Sequence, residues 1–253
     1  MELNLKDKVA LVTGGSRGLG RTICTSLAAE GVHVAVNCTS SRELAEQVAG
    51  EIRDNYNVKA AVVVADVSAE EQVEDMFTQV DEAFGRCDIL VNNAATCPTS
   101  PVVDMTAEQW RHTIDVNLNG TFFCSRAFVR RLLAAGRPGR IVNIVSQAAF
   151  RGSTTGHSPY DASKGGIVSF TVALAREVAD KGIAVNAVAP GMIRTEMVER
   201  VLTNNLEKYL DRIPLRRIAG PEEIADVVAF LASERASYMT GATVDVSGGM
   251  LMR

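Results

Sequence analysis

Two side chains suited to acid–base chemistry stand one helical turn apart in the sequence Tyr160-Asp161-Ala162-Ser163-Lys164. On an α-helix, residues four apart share a face and lie about 6 Å apart along the axis. An ammonium beside a phenol favours tyrosinate, so the spacing predicts a Tyr160 pKa below its ordinary value of about 10. The pair alone leaves a second interpretation open, in which Tyr160 packs in a core and Lys164 is solvated.

A glycine-rich stretch, Thr13-Gly14-Gly15-Ser16-Arg17-Gly18-Leu19-Gly20, follows the first apolar run of the chain. A turn of this kind between a strand and a helix brings backbone N–H groups and the positive helix end close to a phosphate. A plain turn is the alternative, but the junction between the first strand and helix favours a dinucleotide site. The cofactor-binding residues predicted here are Gly14, Ser16, Arg17, Gly18, Leu19 and Gly20.

The end of the second predicted strand indicates which dinucleotide binds. An acidic residue there would bond the adenosine ribose and repel a 2′-phosphate, but this chain has Asn37 and no carboxylate before Glu43. Nearby hydrogen-bond donors are Arg17, Thr39, Ser40 and Arg42. We therefore expect NADP(H) to be favoured over NAD(H), with Asn37, Thr39 and Ser40 in the cofactor site. Solvation of the two arginines is the alternative.

Three further polar positions follow or interrupt the predicted elements. Asp66, with Val67, follows the third strand and is suited either to bind the adenine amine or to cap the next helix. Ser146 ends a later strand, 14 residues before Tyr160, and the loop between them is long enough to bring the two together. Asn117 lies inside a long helical pattern, where asparagine and glycine are unfavourable and predict a kink.

These residues must be positioned by an alternation of buried strands and amphipathic helices. The predicted strands are residues 8–13, 33–37, 60–65, 88–91, 140–145, 184–189 and 243–246. The predicted helices are residues 19–30, 42–54, 69–84, 107–135, 160–181, 196–211 and 221–231. Continuously apolar strands separated by helices predict an α/β fold, a single Rossmann-type domain over residues 1–253. We expect a doubly wound parallel sheet of about seven strands with helices on both faces, and a substrate flap at approximately residues 190–215.

Composition excludes several classes of function. The chain has 253 residues, 47% of them hydrophobic, and a net charge of −4 with both signs interspersed, which argues against nucleic-acid binding. It contains no apolar run of membrane-spanning length, and its first residues do not have a signal-peptide pattern. The five cysteines form no C-x-x-C pair, which favours a cytoplasmic protein without a metal site or disulfide framework.

The motifs taken together resemble the short-chain dehydrogenase/reductase family over essentially the whole chain. Besides the residues above, the resemblance rests on Asn92-Asn93-Ala94-Ala95 and on Pro190-Gly191 with Thr195. The branch most similar is that of the 3-oxoacyl-[acyl-carrier-protein] reductases, on the residues Ile218-Ala219-Gly220-Pro221-Glu222-Glu223-Ile224-Ala225, Thr240-Gly241 and Gly248-Gly249-Met250. Sugar, steroid and secondary-alcohol members share this C-terminal pattern, so it indicates the branch better than the substrate.

The resemblance implies roles for the catalytic residues Asn117, Ser146, Tyr160 and Lys164. Tyr160 would be the general acid or base, and Lys164 would support tyrosinate and bind the nicotinamide ribose. Ser146 would bond the carbonyl oxygen, and Asn117 would hold a water of a proton relay. Further cofactor-binding residues implied by the family are Asn93, Ala94, Pro190, Gly191, Ile193 and Thr195, besides Tyr160 and Lys164. Ala95 stands where glycine is commoner in the family.

The expected function is an NADPH-dependent ketoreductase of a 3-oxoacyl thioester or related ketone. The alternative is an NAD(P)-dependent dehydrogenase of a sugar, polyol or cyclic secondary alcohol. A nucleotide-binding regulator without turnover is a third interpretation, disfavoured because Tyr160 and Lys164 are both present. The predicted substrate residues are Ser146, Gln147, Phe150, His157, Tyr160, Met192 and Met197, with Cys97 and Thr155 as further candidate walls.

Expectations about partners rest on the basic residues of the chain and on the family resemblance. A separate acyl carrier protein would need a basic patch at the entrance, for which Arg130, Arg131 and Arg176 are candidates. Pairing of these arginines with local carboxylates is equally compatible with the sequence. The resemblance also implies a homotetramer, because corresponding helices and the last strand form interfaces in family members.

Overall fold

The protein forms one seven-stranded sheet in a computed structural model, which describes residues 2–153, 156–194 and 206–252. The strand order is β3-β2-β1-β4-β5-β6-β7, and neighbouring strands pair in parallel. The strands are β1 (Val9–Val12), β2 (His33–Cys38), β3 (Ala60–Val64), β4 (Ile89–Asn92), β5 (Gly139–Ile144), β6 (Ile183–Pro190) and β7 (Thr243–Val246). This confirms the predicted doubly wound α/β fold.

The helices cover both faces of the sheet, which explains why its central strands read as unbroken apolar runs. They are α1 (Gly18–Ala29), α2 (Arg42–Asn55), α3 (Glu70–Phe84), α4 (Ala107–Ile114), α5 (Gly120–Ala135), α6 (Ala148–Arg151), α7 (Ser158–Val178), α8 (Leu206–Leu210) and α9 (Pro221–Ala232). One buried cluster lies under α1, α2 and α9 and includes Leu27, Ile52 and Val228. A second lies under α3, α5 and α7 and includes Phe77 and Phe128.

The kink predicted in the long helical pattern is present as a wide turn. The segment Asp115–Asn119 is π-helical and joins α4 to α5. At its end, an added Cβ on Gly120 would lie 2.8 Å from Val67 Cγ2, so the helix can approach the loop after β3 only with glycine here. The π-helical segment therefore sets how α5 meets the sheet.

Other predicted elements differ from the structure at their ends. Helix α7 begins two residues before Tyr160, with Pro159 in its first turn, and a 3₁₀ turn at Ala179–Lys181 follows it. The short elements α6 and Glu234–Ala236 were not predicted, because three or four residues are too few to show a period. Of the predicted helix 196–211, the structure describes α8, and residues 196–205 lie outside the described residues.

The strand order reverses between β1 and β4, so a crevice opens there at the carboxyl ends of the strands. The loops after β1, β4 and β5 carry Gly14, Asn93 and Ser146 to this edge. Within the described residues, we find no helix with the length and apolar character needed to cross a membrane.

Candidate active site

The glycine loop after β1 is held from below by Asn37. The Gly14 N–H donates to Asn37 Oδ1 at 3.1 Å, and the Gly15 N–H donates to the Asn37 carbonyl at 2.8 Å. The Asn37 amide donates to the carbonyls of Val63 and Ala65 at 3.3 and 3.1 Å. Asn37 is buried, so its side chain positions the loop and is committed to protein partners. Sequence reasoning placed Asn37 in the cofactor site but did not find this role.

The loop fits a pyrophosphate by two observations. Arg17 is the N-cap of α1 in an extended conformation, and no side chain of a described residue caps the first N–H groups of that helix. Gly18 has a φ of 53°, and a Cβ added there would meet no atom within 4 Å. A Cβ on Gly20, in contrast, would lie 2.1 Å from the Gly14 carbonyl oxygen, so the loop closes tightly on its own helix. The residues present therefore fit a nicotinamide dinucleotide.

A hydrogen-bonded clamp joins the ends of β1 and β4 beside this loop. The N–H groups of Asn93 and Ala94 donate to Thr13 Oγ1 at 2.9 and 3.0 Å. The Asn93 amide donates to the carbonyls of Thr13 and Gly14 at 2.9 and 3.2 Å. The structure thus brings the predicted cofactor residues Asn93 and Ala94 against the glycine loop.

The surface at the end of β2 carries the donors expected near a 2′-phosphate. Thr39, Ser40 and Arg42 are exposed there, as is Arg17 in the glycine loop. Arg42 lies 3.9 Å from Glu46, a long and solvent-exposed pairing that leaves its guanidinium available.

Asp66 has a local role in the loop after β3. Its Oδ1 accepts from the Ser68 N–H at 2.9 Å and from the Ser68 hydroxyl at 2.7 Å. The N-cap of α3 is Ala69, without a side-chain hydrogen bond, so the capping interpretation of Asp66 is wrong. Val67 is buried beneath Gly120.

Tyr160, Lys164 and Ser146 meet at the carboxyl end of β5. Tyr160 and Lys164 lie on one face of α7, with the Lys164 Nζ 5.5 Å from the centroid of the Tyr160 ring. The Ser146 side chain lies close enough to the Tyr160 hydroxyl to lower its pKa, so the loop brings the two together as its length predicted. Lys164 is only 2% exposed, and its Nζ donates to the Ile144 carbonyl at 2.7 Å.

The predicted lowering of the Tyr160 pKa is wrong for this structure. Burial raises the pKa of Tyr160, the nearby Cys97 raises it further, and the interaction with the Ser146 side chain opposes this with a smaller effect. Burial also lowers the pKa of Lys164 to about 8. The spacing was read correctly, but the cost of removing both groups from water exceeds the attraction between their charges.

Asn117 is buried in the π-helical segment and links two parts of the site. Its Oδ1 accepts from the Thr96 N–H at 2.8 Å, and its Nδ2 donates to the Thr96 carbonyl and to Ser163 Oγ, both at 3.0 Å. Ser163 in turn donates to the Tyr160 carbonyl at 2.7 Å. Asn117 therefore holds the loop after β4 against α7, directly beside Lys164; its water-binding role stays a prediction.

The loop after β5 places several predicted substrate residues near Tyr160. The Gln147 N–H donates to the Pro190 carbonyl at 3.0 Å, and Gln147 Oε1 is buried without a hydrogen-bond partner in the described part of the chain. His157 Nε2 lies 3.0 Å from Thr99 Oγ1. Cys97 is half-buried with a pKa raised by burial to about 11, and its thiolate would raise the pKa of both Tyr160 and Lys164.

Other predicted substrate residues also serve in packing. Phe150 packs on the cluster formed by Val145, Ile167, Ala187 and Ala189. Met192 packs on Ile213, Ile218 and Met250. Ile193 bridges to Ala219 at the base of the predicted flap. Thr155, Thr195 and Met197 lie outside the described residues.

Sequence reasoning missed Asp161 as a part of the site. Its Oδ2 accepts from the Ser153 N–H at 2.6 Å and from the Ser153 hydroxyl at 2.8 Å, so it ties the loop after α6 to the first turn of α7. An acidic residue in a first turn is common, and nothing in the sequence marks its partner.

Two of the three arginines suggested for carrier binding already have partners. Arg131 pairs with Glu74 at 2.8 Å and Asp81 at 3.1 Å, and Arg130 lies 4.0 Å from Glu74. Arg176 is exposed on α7 and takes part in no ion pair within the described ranges.

The comparisons with known proteins agree with this geometry. A family profile described as enoyl-(acyl carrier protein) reductase matches residues 14–251. A short-chain type dehydrogenase/reductase from Mycobacterium marinum is 34% identical with a TM-score of 0.94, covering 100% of this chain and 98% of that one. The chain belongs to the short-chain dehydrogenase/reductase family of oxidoreductases, which use a nicotinamide coenzyme.

Curated relatives give a more particular likeness. The chain is 42% identical over 250 residues to the 3-oxoacyl-[acyl-carrier-protein] reductase of Aquifex aeolicus (strain VF5), covering 99% of this chain and 100% of the relative. It is also 42% identical over 249 residues to the 3-oxoacyl-[acyl-carrier-protein] reductase of Synechocystis sp., covering 98% of each. A solved short chain dehydrogenase from Bacillus anthracis is 34% identical with a TM-score of 0.89, covering 98% of each chain.

Proposed function

We propose that the protein is an NADPH-dependent ketoreductase that reduces the ketone of a 3-oxoacyl thioester. The observation that carries this proposal is the meeting of Ser146 and Tyr160, with Lys164 one turn further on, beside a glycine loop that fits a dinucleotide. The names of the relatives support the substrate class.

The chain's residues provide the proton side of the reaction. The glycine loop would hold a nicotinamide dinucleotide, which would supply the hydride for the carbonyl carbon. The Ser146 and Tyr160 hydroxyls both donate to the carbonyl oxygen, where negative charge develops, and Tyr160 then transfers its proton. The raised Tyr160 pKa keeps this hydroxyl protonated at neutral pH, which is the state that a general acid needs. Lys164, with a pKa of about 8, carries its charge for most of the time at pH 7 and stabilises the tyrosinate left behind.

The proposed choice of NADPH rests on the surface at the end of β2. The exposed residues Thr39 and Ser40 offer no carboxylate to repel a 2′-phosphate, and the guanidiniums of Arg17 and Arg42 are exposed and able to pair with one. We expect NADPH to bind more tightly than NADH, and Arg17→Ala to reduce that preference at least tenfold. Arg21→Ala is the matched control, because Arg21 is exposed on the same helix but pairs with Glu51. Tighter binding of NADH by the parent protein would contradict the proposal.

A decisive test of the reaction compares two tyrosine variants. Tyr160→Phe should reduce turnover of a 3-oxoacyl thioester by at least a thousandfold while fluorescence titration shows coenzyme affinity within about threefold of the parent. Tyr56→Phe is the control and should keep full activity, because Tyr56 packs on the buried cluster under α1, α2 and α9. Undiminished activity of Tyr160→Phe would refute the mechanism.

The substrate class must be tested with a panel of substrates, because the carbonyl site alone also suits a sugar, polyol or cyclic secondary alcohol. The panel should include 3-oxoacyl and enoyl thioesters, since the matching family profile is described as an enoyl reductase. The proposal requires the 3-oxoacyl thioester to have the highest kcat/KM. Highest kcat/KM for a sugar or secondary alcohol would favour the alternative dehydrogenase.

The proposed setting is a cytoplasmic homotetramer that meets a separate acyl carrier protein. All five cysteines are free thiols, which fits a reducing compartment. Of the three arginines predicted to bind an acidic carrier, Arg130 and Arg131 lie in ion pairs, so we propose that Arg176 makes this contact. Arg176→Glu should then raise KM for a carrier-bound substrate more than for a small thioester.

A further inference from the structure

A cationic cavity lies at the edge of the sheet opposite the candidate active site. It has a volume of about 110 Å³ and is formed where β1, β4 and β5 begin. Its charged lining residues are Lys8, Arg86, Asp88, Arg137, Arg140 and Glu234. Four cationic groups thus face two carboxylates, a net charge of +2 in a small concave space.

One of the two carboxylates is already shared by two cations. Asp88 accepts from Arg86 Nε at 2.8 Å and Nη2 at 2.5 Å, and also from Arg137 Nη2. Its Oδ2 further accepts the Val9 N–H at 3.0 Å. Two guanidiniums on one carboxylate leave a surplus positive charge at the cavity wall.

The other two cations, Lys8 and Arg140, are not held by a carboxylate in the described part of the chain. Neither Lys8 nor Arg140 forms an ion pair with any described residue. Arg140 Nη1 donates to the Gly139 carbonyl at 3.1 Å, while its Nε is buried without a hydrogen-bond partner in the part of the chain described. Glu234 is exposed and acts on Arg140 only from a distance. A half-buried guanidinium with an orphaned N–H is costly unless an acceptor completes it.

We propose that this cavity is a binding site for a phosphate group. A single water needs about 10–15 Å³, so the cavity is large enough for a tetrahedral four-oxygen anion. Such an anion can accept from Arg140 Nε and neutralise Lys8 together with the surplus charge around Asp88. The ligand is either free inorganic phosphate or the terminal phosphoryl group of a small phosphomonoester. This site is independent of the proposed ketoreductase activity.

The test is calorimetric titration of the full chain with inorganic phosphate, against sodium chloride of equal ionic strength. Saturable binding should weaken at least tenfold in Lys8→Met and in Arg140→Met. Lys6→Met is the matched control, because Lys6 is exposed, two residues away, and outside the cavity lining. Lys8→Met keeps the proposal testable if Arg140→Met fails to fold, since Lys8 is only half-buried and unpaired within the described residues.

Two further measurements separate the cavity from the glycine loop, which is itself a predicted phosphate site. Arg17→Ala, in the glycine loop, must leave the affinity of the cavity for phosphate unchanged. The unfolding midpoint Tm of the parent should rise by about 5–10 °C when the phosphate concentration reaches 100 times its Kd. Phenyl phosphate is the second probe: its binding indicates a phosphomonoester, and its exclusion indicates the free ion. Absence of saturable phosphate binding, or equal affinity in the parent and Lys8→Met, would overturn the proposal.

Discussion

The buried ammonium of Lys164 should make the protein less stable in return for activity. Its side chain is 2% exposed, and among the described residues its Nζ donates to the Ile144 carbonyl alone. Replacing it with the apolar Lys164→Met should therefore abolish turnover and at the same time stabilise the protein without coenzyme at pH 7.

The magnitude follows from the lowered Lys164 pKa. A change from 10.5 to about 8 corresponds to a cost of about 3 kcal/mol at pH 7, and losing the bond to Ile144 offsets about 1 kcal/mol in the variant. The net gain of about 2 kcal/mol would raise Tm by about 4–8 °C. Above pH 8 the folded parent loses this proton while the unfolded chain keeps it up to about pH 10.5, so raising the pH stabilises the parent. The parent should thus recover about 2 kcal/mol relative to Lys164→Met between pH 7 and 9.5.

The assay is urea unfolding of both proteins at several pH values, without coenzyme. Lys59→Met, at an exposed lysine, is the control and should differ from the parent by a constant amount over this range. Tyr160 does not interfere, because its raised pKa affects stability only above pH 10. Parallel stability curves for the parent and Lys164→Met would show that Lys164 stays charged throughout, and would refute the reasoning.

The other predictions concern packing and reactivity. Gly20→Ala, whose Cβ would lie 2.1 Å from a carbonyl oxygen, should lower the unfolding free energy by more than about 2 kcal/mol, while Gly50→Ala on α2 should raise it by about 0.5–1 kcal/mol in the same urea assay. Asn143→Ala removes bonds of 2.9 Å to both Asn92 and Thr171 and should cost about 2–3 kcal/mol; a loss below 0.5 kcal/mol would contradict this. Alkylation of Cys97 by iodoacetamide, followed by mass spectrometry, should accelerate about tenfold per pH unit from pH 7 to 10, and a flat profile would disprove the raised pKa of about 11.

The strands were predictable to within one or two residues because their signal is local. The runs at β1, β2 and β7 are apolar or β-branched and are bounded by turn residues, so their ends are visible in the sequence. The wide turn at Asp115–Asn119 was predictable as an interruption from its asparagines and glycine, but its π-helical form was not. That form depends on contacts with Thr96 and Val67, which are distant in the sequence.

The sequence was enough to predict which residues form the site, but not the direction in which their pKa values shift. Spacing and element ends brought Ser146, Tyr160 and Lys164 together, because the carboxyl ends of parallel strands share an edge. The same spacing gave the wrong direction for the Tyr160 pKa, because the degree of burial and the choice of Ile144 as the partner of Lys164 are tertiary properties. The buried amide of Asn37 likewise has partners 23 and 28 residues away, which no local pattern shows.

The π-helical segment before α5 makes the orientation of α5 depend on the number of residues between α4 and α5. A helix turns by about 100° per residue, so deleting one residue between α4 and α5 would let the wide turn relax to an ordinary one and rotate every later side chain of α5 by that angle. Phe128, now in the core, would swing towards solvent while Asn117 lost its hold on Thr96. Single-residue insertions and deletions should therefore be excluded here among working variants, even where substitutions are accepted.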